Sequence, residues 1–298
     1  MNVMSAARSH PVMDETAISI DHVSHHFVTP DGSLVKTLDD VSLDVRRGEL
    51  LCLIGPSGCG KSTLLNIIGG LLQATTGAVK VAGKTITGPS PRDLAFVFQD
   101  NTLFPWNTIL DNVIVGLEFQ GVPEGERRGR AQEALEAVGL TEFRDHYPHQ
   151  LSGGMKQRAS LARALSMQTD IVLMDEPFAA LDEQTRTYLG EELSILLAEH
   201  RKTIILVTHS LSEAVFLADR VVVMTARPAA IKSIIEVDEP HPRDPAFMAS
   251  PRFADYRNEL YAQLRAEIEK TVGGFVGSAA ARDRGRRGGA DVGKQGTP

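Results

Sequence analysis

The sequence predicts an α/β fold built on a largely parallel sheet, and three observations carry that expectation. Four apolar runs of strand length, LLCLIG (50–55), LAFVFQ (94–99), IVLMDE (171–176) and IILVTH (204–209), each end in a polar residue or a glycine. Runs apolar throughout belong to strands buried on both faces, as in parallel sheets. Strand and helix patterns alternate from 171 to 209, the order of βαβ units. A glycine-rich turn, GPSGCGKST (55–63), joins the first run to a helical segment.

The elements follow in order. Residues 17 to 54 alternate apolar and polar positions before LLCLI, which predicts antiparallel strands leading into a buried one. LLNIIGGLL (64–72) continues the turn as a helix, and TGAVKVAGKTI (76–86) returns to strand. From about 101 to 165 the pattern is a helical insert: ERRGRAQEALEAVGL sets Ala134, Leu135 and Val138 on one face and stops at Gly139. The runs RVVVMTA (220–226) and AIKSIIEV (230–237) close the sheet. Beyond it, DEPHPRDP punctuates the chain with prolines, and FADYRNELYAQLRAEIEKTV reads as an amphipathic helix within a C-terminal extension, 236–273. The final 22 residues hold six glycines, five basic residues and one large aliphatic side chain, Val292. Such a composition buries too little to order itself, so 274–298 is expected to be a disordered, solvated tail. The same is expected of 1–16, which lacks the basic-then-apolar order of a secretory signal.

Composition excludes several classes. With 298 residues, 42% of them hydrophobic, the chain can bury a full core in one large domain or two ordinary ones. The 31 basic and 38 acidic residues leave a net charge of −7, against the positive field of a general nucleic-acid binder. The two cysteines, Cys52 and Cys59, make no disulfide framework, which suits a reducing compartment. No run approaches the ~20 apolar residues that span a bilayer, so a membrane connection is expected through a partner.

In a parallel sheet the carboxyl ends of the strands share the edge where ligands bind, so Gly55, Gln99, Asp175, Glu176 and His209 should converge. The turn fits G-x-x-x-x-G-K-[ST]: its glycines let backbone N–H groups face phosphate oxygens, Lys61 reaches the outer phosphates, and Ser62 suits Mg²⁺. Cys59 lies inside this loop, which predicts that a thiol reagent blocks nucleotide binding. Asp175 and Glu176 point different ways from an extended segment, the first suited to a metal shell and the second to polarising a water. His209 can meet a γ-phosphate or orient that water. A second glycine-rich feature, LSGGMKQRASLARAL (151–165), reads as a helix capped by Ser152, with Gly153 and Gly154 exposing free N–H groups to an anion. His22, His25 and His26 are expected at exposed strand positions rather than around a metal.

Taken together, GPSGCGKST, VFQ, LSGGMKQR, IVLMDEP, AALD and VTH resemble, in order and spacing, the nucleotide-binding subunit of ATP-binding cassette (ABC) transporters over roughly 17–235. The resemblance implies a P-loop NTPase cassette: a RecA-like mixed sheet, an antiparallel β subdomain, and the helical insert. It implies that Gly55, Pro56, Ser57, Gly58, Cys59, Gly60, Lys61, Ser62 and Thr63 hold ATP, with Phe27 where the adenine-stacking aromatic stands, more often Tyr in the family. Ser62, Gln99 and Asp175 would serve Mg²⁺; Glu176 would be the catalytic base, with His209, Gln99 and Lys61 completing the site. Ser152, Gly153, Gly154 and Met155, the last where Gln is commonest, would close with Asp182 over ATP held by a second subunit, which makes the chain a homodimer. Both phosphate sites are then half-built.

VFQDNTLFPWNTILDNV and HPRDP are similar to the importer branch serving nitrate, alkanesulfonate and taurine uptake. Leu103, Phe104 and Trp106, just past Gln99, form an apolar patch for a membrane permease, unless Trp106 is simply buried in the helical insert. The partners implied are permease subunits and, indirectly, a periplasmic or extracellular solute-binding protein, with no nucleic acid; the location implied is peripheral, on the cytoplasmic face of the inner membrane. Two other readings stand beside this one: a soluble cassette ATPase in translation or DNA repair, and a non-catalytic nucleotide-binding scaffold.

Overall fold

The computed structural model describes residues 15–200 and 202–287, with side chains described except at 196–200 and 271–287. Two sheets share one hydrophobic body. The first is antiparallel, order β2-β1-β4-β5, from β1 (Thr16–Val28), β2 (Leu34–Arg46), β4 (Thr76–Val81) and β5 (Lys84–Thr85). The second has order β10-β9-β3-β8-β7-β6, from β3 (Leu50–Ile54), β6 (Leu94–Val97), β7 (Ile171–Asp175), β8 (Thr203–Val207), β9 (Arg220–Met224) and β10 (Ile231–Glu236). Its first five strands in sequence run parallel, and β10 returns antiparallel to β9.

Every residue of β3, β7, β8 and β9 is buried. The reason lies in the period of two. Leu51, Leu53, Ile205 and Val207 face a core shared with the antiparallel sheet and with α1 (Lys61–Ile68). Leu50, Cys52, Ile54, Ile204 and Leu206 face a second core formed with the helices. Both faces are dry, so no polar residue alternates along these strands.

The helices are α2 (Ile109–Phe119), α3 (Glu124–Ala137), α4 (Gly153–Ser166), α5 (Glu183–His200), α6 (Leu211–Leu217) and α7 (Pro251–Arg287). In the insert, α4 packs on both α2 and α3. At the carboxyl end, α7 lies against α6 and β9. Arg243, from the HPRDP segment, is buried and donates to the carbonyls of Val215, Ala218 and Val237, so it satisfies carbonyls at the buried carboxyl end of α6. Among the described residues no helix is long and apolar enough to cross a membrane.

Three expectations are corrected. The helix expected over 64–72 ends at Ile68, because Gly70 is left-handed (φ 71°) and a β-carbon there would stand 2.3 Å from the Gly88 carbonyl oxygen. The chain turns where only glycine fits. The segment 274–287, expected to be disordered, continues α7 to Arg287; its three consecutive alanines, 279–281, are the strongest helix formers. Residues 1–14 and 288–298 of the expected tails lie outside the described residues. His25 is buried rather than exposed, edge-on to the Phe27 ring at 4.6 Å.

Candidate functional site

The phosphate-binding turn leaves β3 at Ile54 and opens α1. Gly58 (φ 70°) and Gly60 (φ 135°) adopt backbone conformations that L side chains avoid, and a β-carbon on Gly60 would press on Leu38 and Thr37 at 3.0–3.1 Å. The turn is therefore curled and closely backed. No side chain caps the amino terminus of α1, so its first N–H groups remain available to an anion. Lys61 is buried, and its Nζ donates to the carbonyls of Gly55 (2.8 Å) and Pro56 (3.1 Å), which holds a cation inside the loop. Cys59 is buried beneath the loop, 2% exposed, and burial pushes its thiol up from the usual range. Both features weigh against the expected sensitivity to thiol reagents: the sulfur is shielded, and burial disfavours its thiolate.

The sheet edge gathers the polar strand ends. Glu176 follows β7 in a left-handed conformation (φ 49°), with its N–H held by the Val207 carbonyl at 2.9 Å. That turn swings its carboxylate away from that of Asp175. Glu176 Oε1 lies 2.6 Å from His209 Nε2, and Gln99 Nε2 donates to Oε2 at 3.3 Å. Three strand ends, 77 and 33 residues apart in the chain, meet at one carboxylate. Behind them Thr208 donates to Glu213, which also pairs with Arg186 at 3.4 Å, fixing the segment that presents His209. Sequence reasoning missed Glu213, although S-x-x-E at 210–213 is a helix-start signal; Ser210 accepts from the Glu213 N–H at 3.2 Å.

Asp175 faces the phosphate turn instead. Burial pushes its carboxyl up, and a hydrogen bond from Ser62 draws it partly back. Its Oδ1 is buried with no hydrogen-bond partner. An orphaned carboxylate oxygen beside a hydroxyl, at the opening of a phosphate loop, fits a hard divalent cation with oxygen ligands. The residues present therefore suit Mg²⁺.

The second glycine-rich motif opens α4. Ser152 Oγ accepts from the Met155 N–H at 3.3 Å, the expected cap. The two glycines differ. A β-carbon on Gly153 would meet nothing within 4 Å, whereas on Gly154 it would stand 2.9 Å from Leu181 Cδ2. A side chain at Gly153 would have room, whereas one at Gly154 would press on Leu181. Met155 is partly buried against the helical core. Asp182 caps α5, accepting from Thr185 N (2.9 Å) and Oγ1 (2.8 Å), bonds that lower its pKa. Among the described residues no hydrogen bond joins Ser152, Gly153 or Gly154 to the 55–63 turn.

Phe27, near the end of β1, is 44% exposed. Trp106 is 72% exposed, with the Phe104 ring 5.5 Å away, so it is not buried in the insert. Leu103 is corrected: it is buried in the helical core and belongs to the support of the patch, not its surface. The loop is shaped by Asn112, fully buried, which accepts from Phe104 N (2.7 Å) and donates to the carbonyls of Phe104, Asn107 and Thr108. Nothing in a lone Asn on a helix announces this, since its partners are a loop. The patch connects to the sheet edge through α4: Gln157 donates to the Phe98 carbonyl at 3.4 Å and Arg163 to Thr102 at 2.6–2.9 Å, either side of Gln99.

A strand, a curled glycine turn with an enclosed lysine, and convergent strand-end carboxylates define a P-loop nucleoside triphosphatase. A model of the ABC transporter family matches residues 38–179. The chain is 49% identical, over 81% of its length and 89% of the relative's, to an uncharacterized ABC transporter ATP-binding protein of Methanocaldococcus jannaschii. It is 44% identical, over 81% and 89%, to a nitrate import ATP-binding protein of Synechococcus elongatus. A solved dimeric ATP-binding cassette in a post-hydrolysis state, bound to ADP and Pi, superposes with a TM-score of 0.69 at 32% identity, covering 75% of this chain and all of that one. The chain belongs to the ABC transporter ATP-binding family, whose members are ATPases coupled to transport.

Proposed function

We propose that the chain is the ATP-hydrolysing subunit of a membrane importer for small solutes of the nitrate, sulfonate and taurine kind. It works as a homodimer, on separate permease subunits, at the cytoplasmic face of the membrane; a solute-binding protein delivers the cargo. The observation that carries the reading is the meeting of Gln99, Glu176 and His209 beside a phosphate loop. Nitrate-type cargo is supported by the nitrate import relative. The permease is supported by the exposed Trp106 and its connection through α4 to the loop carrying Gln99.

The geometry supports a role for each residue. The 55–63 turn and Lys61 bind the triphosphate, and Phe27 offers its exposed ring to the base. Ser62, Asp175 and Gln99 would hold Mg²⁺, which supplies charge neutralisation at the phosphates when bound. Glu176 accepts the proton of the attacking water, and His209, 2.6 Å away, holds that carboxylate in place. Ser152 and Gly153 at the open end of α4, with Asp182, close over nucleotide bound by the other subunit. Glu176→Gln keeps size and hydrogen bonding while removing the base. Its expected result is ATP binding unchanged and hydrolysis down by at least about 100-fold; continued turnover removes Glu176 from the role.

A soluble role in translation or DNA repair is less well supported. An exposed tryptophan held out by a buried Asn112 is a surface built for a partner.

A further inference from the structure

The segment 225–230, between β9 and β10, joins three parts of the molecule at once. Ala229 lies along β2, donating to the Thr37 carbonyl (2.8 Å) and accepting from the Asp39 N–H (2.9 Å). Arg227 Nη2 donates to the carbonyl of Gly58, in the phosphate turn, at 2.6 Å. Ala226 N–H donates to Glu267 of α7 at 3.2 Å. Glu267 is buried, 1% exposed, and also receives Lys232 (2.9 Å) and Lys270 (2.7 Å). Two consecutive residues thus connect the C-terminal helix to the phosphate turn.

The Arg227 contact falls on a sensitive peptide. The Gly58 carbonyl is held by Arg227 and the N–H of the same peptide, on Cys59, by the Pro56 carbonyl at 3.2 Å. Both ends of one peptide plane, following a left-handed glycine, are fixed. The curl of the turn, and with it the direction of its N–H groups, is therefore set partly from outside the motif. Arg227 is exposed and its charge sits beside the loop, so it adds to the field of Lys61 without contributing to the core.

We propose that Arg227 is a positioning residue for ATP, and that α7, through Glu267, holds it there; the C-terminal helix thereby sets nucleotide affinity. The inference rests on the 55–63 turn being the ATP site. Arg227 stabilises the bound state of the loop and leaves the hydrolytic groups at Gln99, Glu176 and His209 untouched.

The test uses the full-length protein, with ATP and Mg²⁺ binding measured by titration calorimetry and hydrolysis by phosphate release. Arg227→Ala is expected to raise both Kd and KM for ATP about tenfold, with kcat within about twofold and the thermal midpoint unchanged. Arg227→Lys, which keeps a donor and the charge, is expected to restore most of the affinity. Glu267→Gln is expected to raise KM by a smaller factor, and the double variant to be no weaker than Arg227→Ala, because the two act in series. An unchanged KM in Arg227→Ala overturns the proposal, as does a loss confined to kcat. Multiplying effects in the double variant overturn the role of α7. A wild-type protein that binds no ATP overturns the nucleotide site itself, a separate failure.

Discussion

Gly153 and Gly154 are adjacent, identical in type, and physically unlike. A β-carbon on the first would face open space, and on the second would stand 2.9 Å from Leu181. Gly153→Asp therefore introduces no clash within its own chain and is expected to change stability by no more than about 0.5 kcal/mol. In the proposed dimer it places a carboxylate against the second subunit's nucleotide. ATP binding should persist while hydrolysis falls at least about 100-fold, as read by binding and phosphate release on one preparation; a loss of binding would mean that the two glycine-rich sites serve the same nucleotide on one chain. The residues of the site were legible to different degrees for physical reasons. Gln99, Glu176 and His209 could be picked out because each ends an apolar strand, and parallel strands deliver their ends to one edge. Arg227 and Asn112 could not, because their partners are backbone carbonyls: Gly58, 169 residues away, and a neighbouring loop with no side-chain signature. Leu103 departs from the expected patch because an apolar run in a loop does not say which of its side chains face the helices beneath.

At the scale of elements, the strands of the central sheet were readable because being buried on both faces leaves an unbroken apolar run. Helix ends were less so. The stop of α1 at Ile68 depends on the close approach of Gly70 to Gly88, and the extension of α7 to Arg287 depends on intrinsic propensity winning where composition suggested disorder. The element with the clearest mechanical meaning is the 98–108 loop, tied at 98 and 102 to α4 and at 104–108 to Asn112 of α2. Trp106→Asp alters only its exposed tip. We expect stability within about 0.5 kcal/mol of wild type and unchanged ATPase activity of the isolated subunit, with loss of permease co-purification. Retained coupling to transport would remove the patch from the docking role.

For the whole molecule, a buried carboxylate, Glu267, is one of the ties between the C-terminal helix and the sheet, beside the bonds of Gln263 to Lys232 and Ser233. Burial favours the neutral form of Glu267, but bonds from Lys270, Lys232 and the Ala226 N–H outweigh it and bring the pKa from 4.5 to about 2. A carboxyl depressed in the folded state contributes stability that is complete above its unfolded value and is lost as pH falls from about 5 towards 2. The linkage amounts to at most about 3 kcal/mol. The thermal midpoint should fall by several degrees more over that range in the wild type than in Glu267→Gln. Comparison with the variant isolates this group from Glu49, Asp175 and Glu213, whose carboxyls burial pushes the other way. A matching pH profile in the two proteins would show that the clasp is not sensed. The exposed ring of Trp106, proposed to face a permease, has an optical consequence. Trp106 is the only tryptophan in the chain, so indole emission reports from a single solvent-facing point with no label. Burial of that ring against another protein moves the emission to shorter wavelength, and a titration of spectra then measures assembly directly, independent of whether nucleotide is turned over.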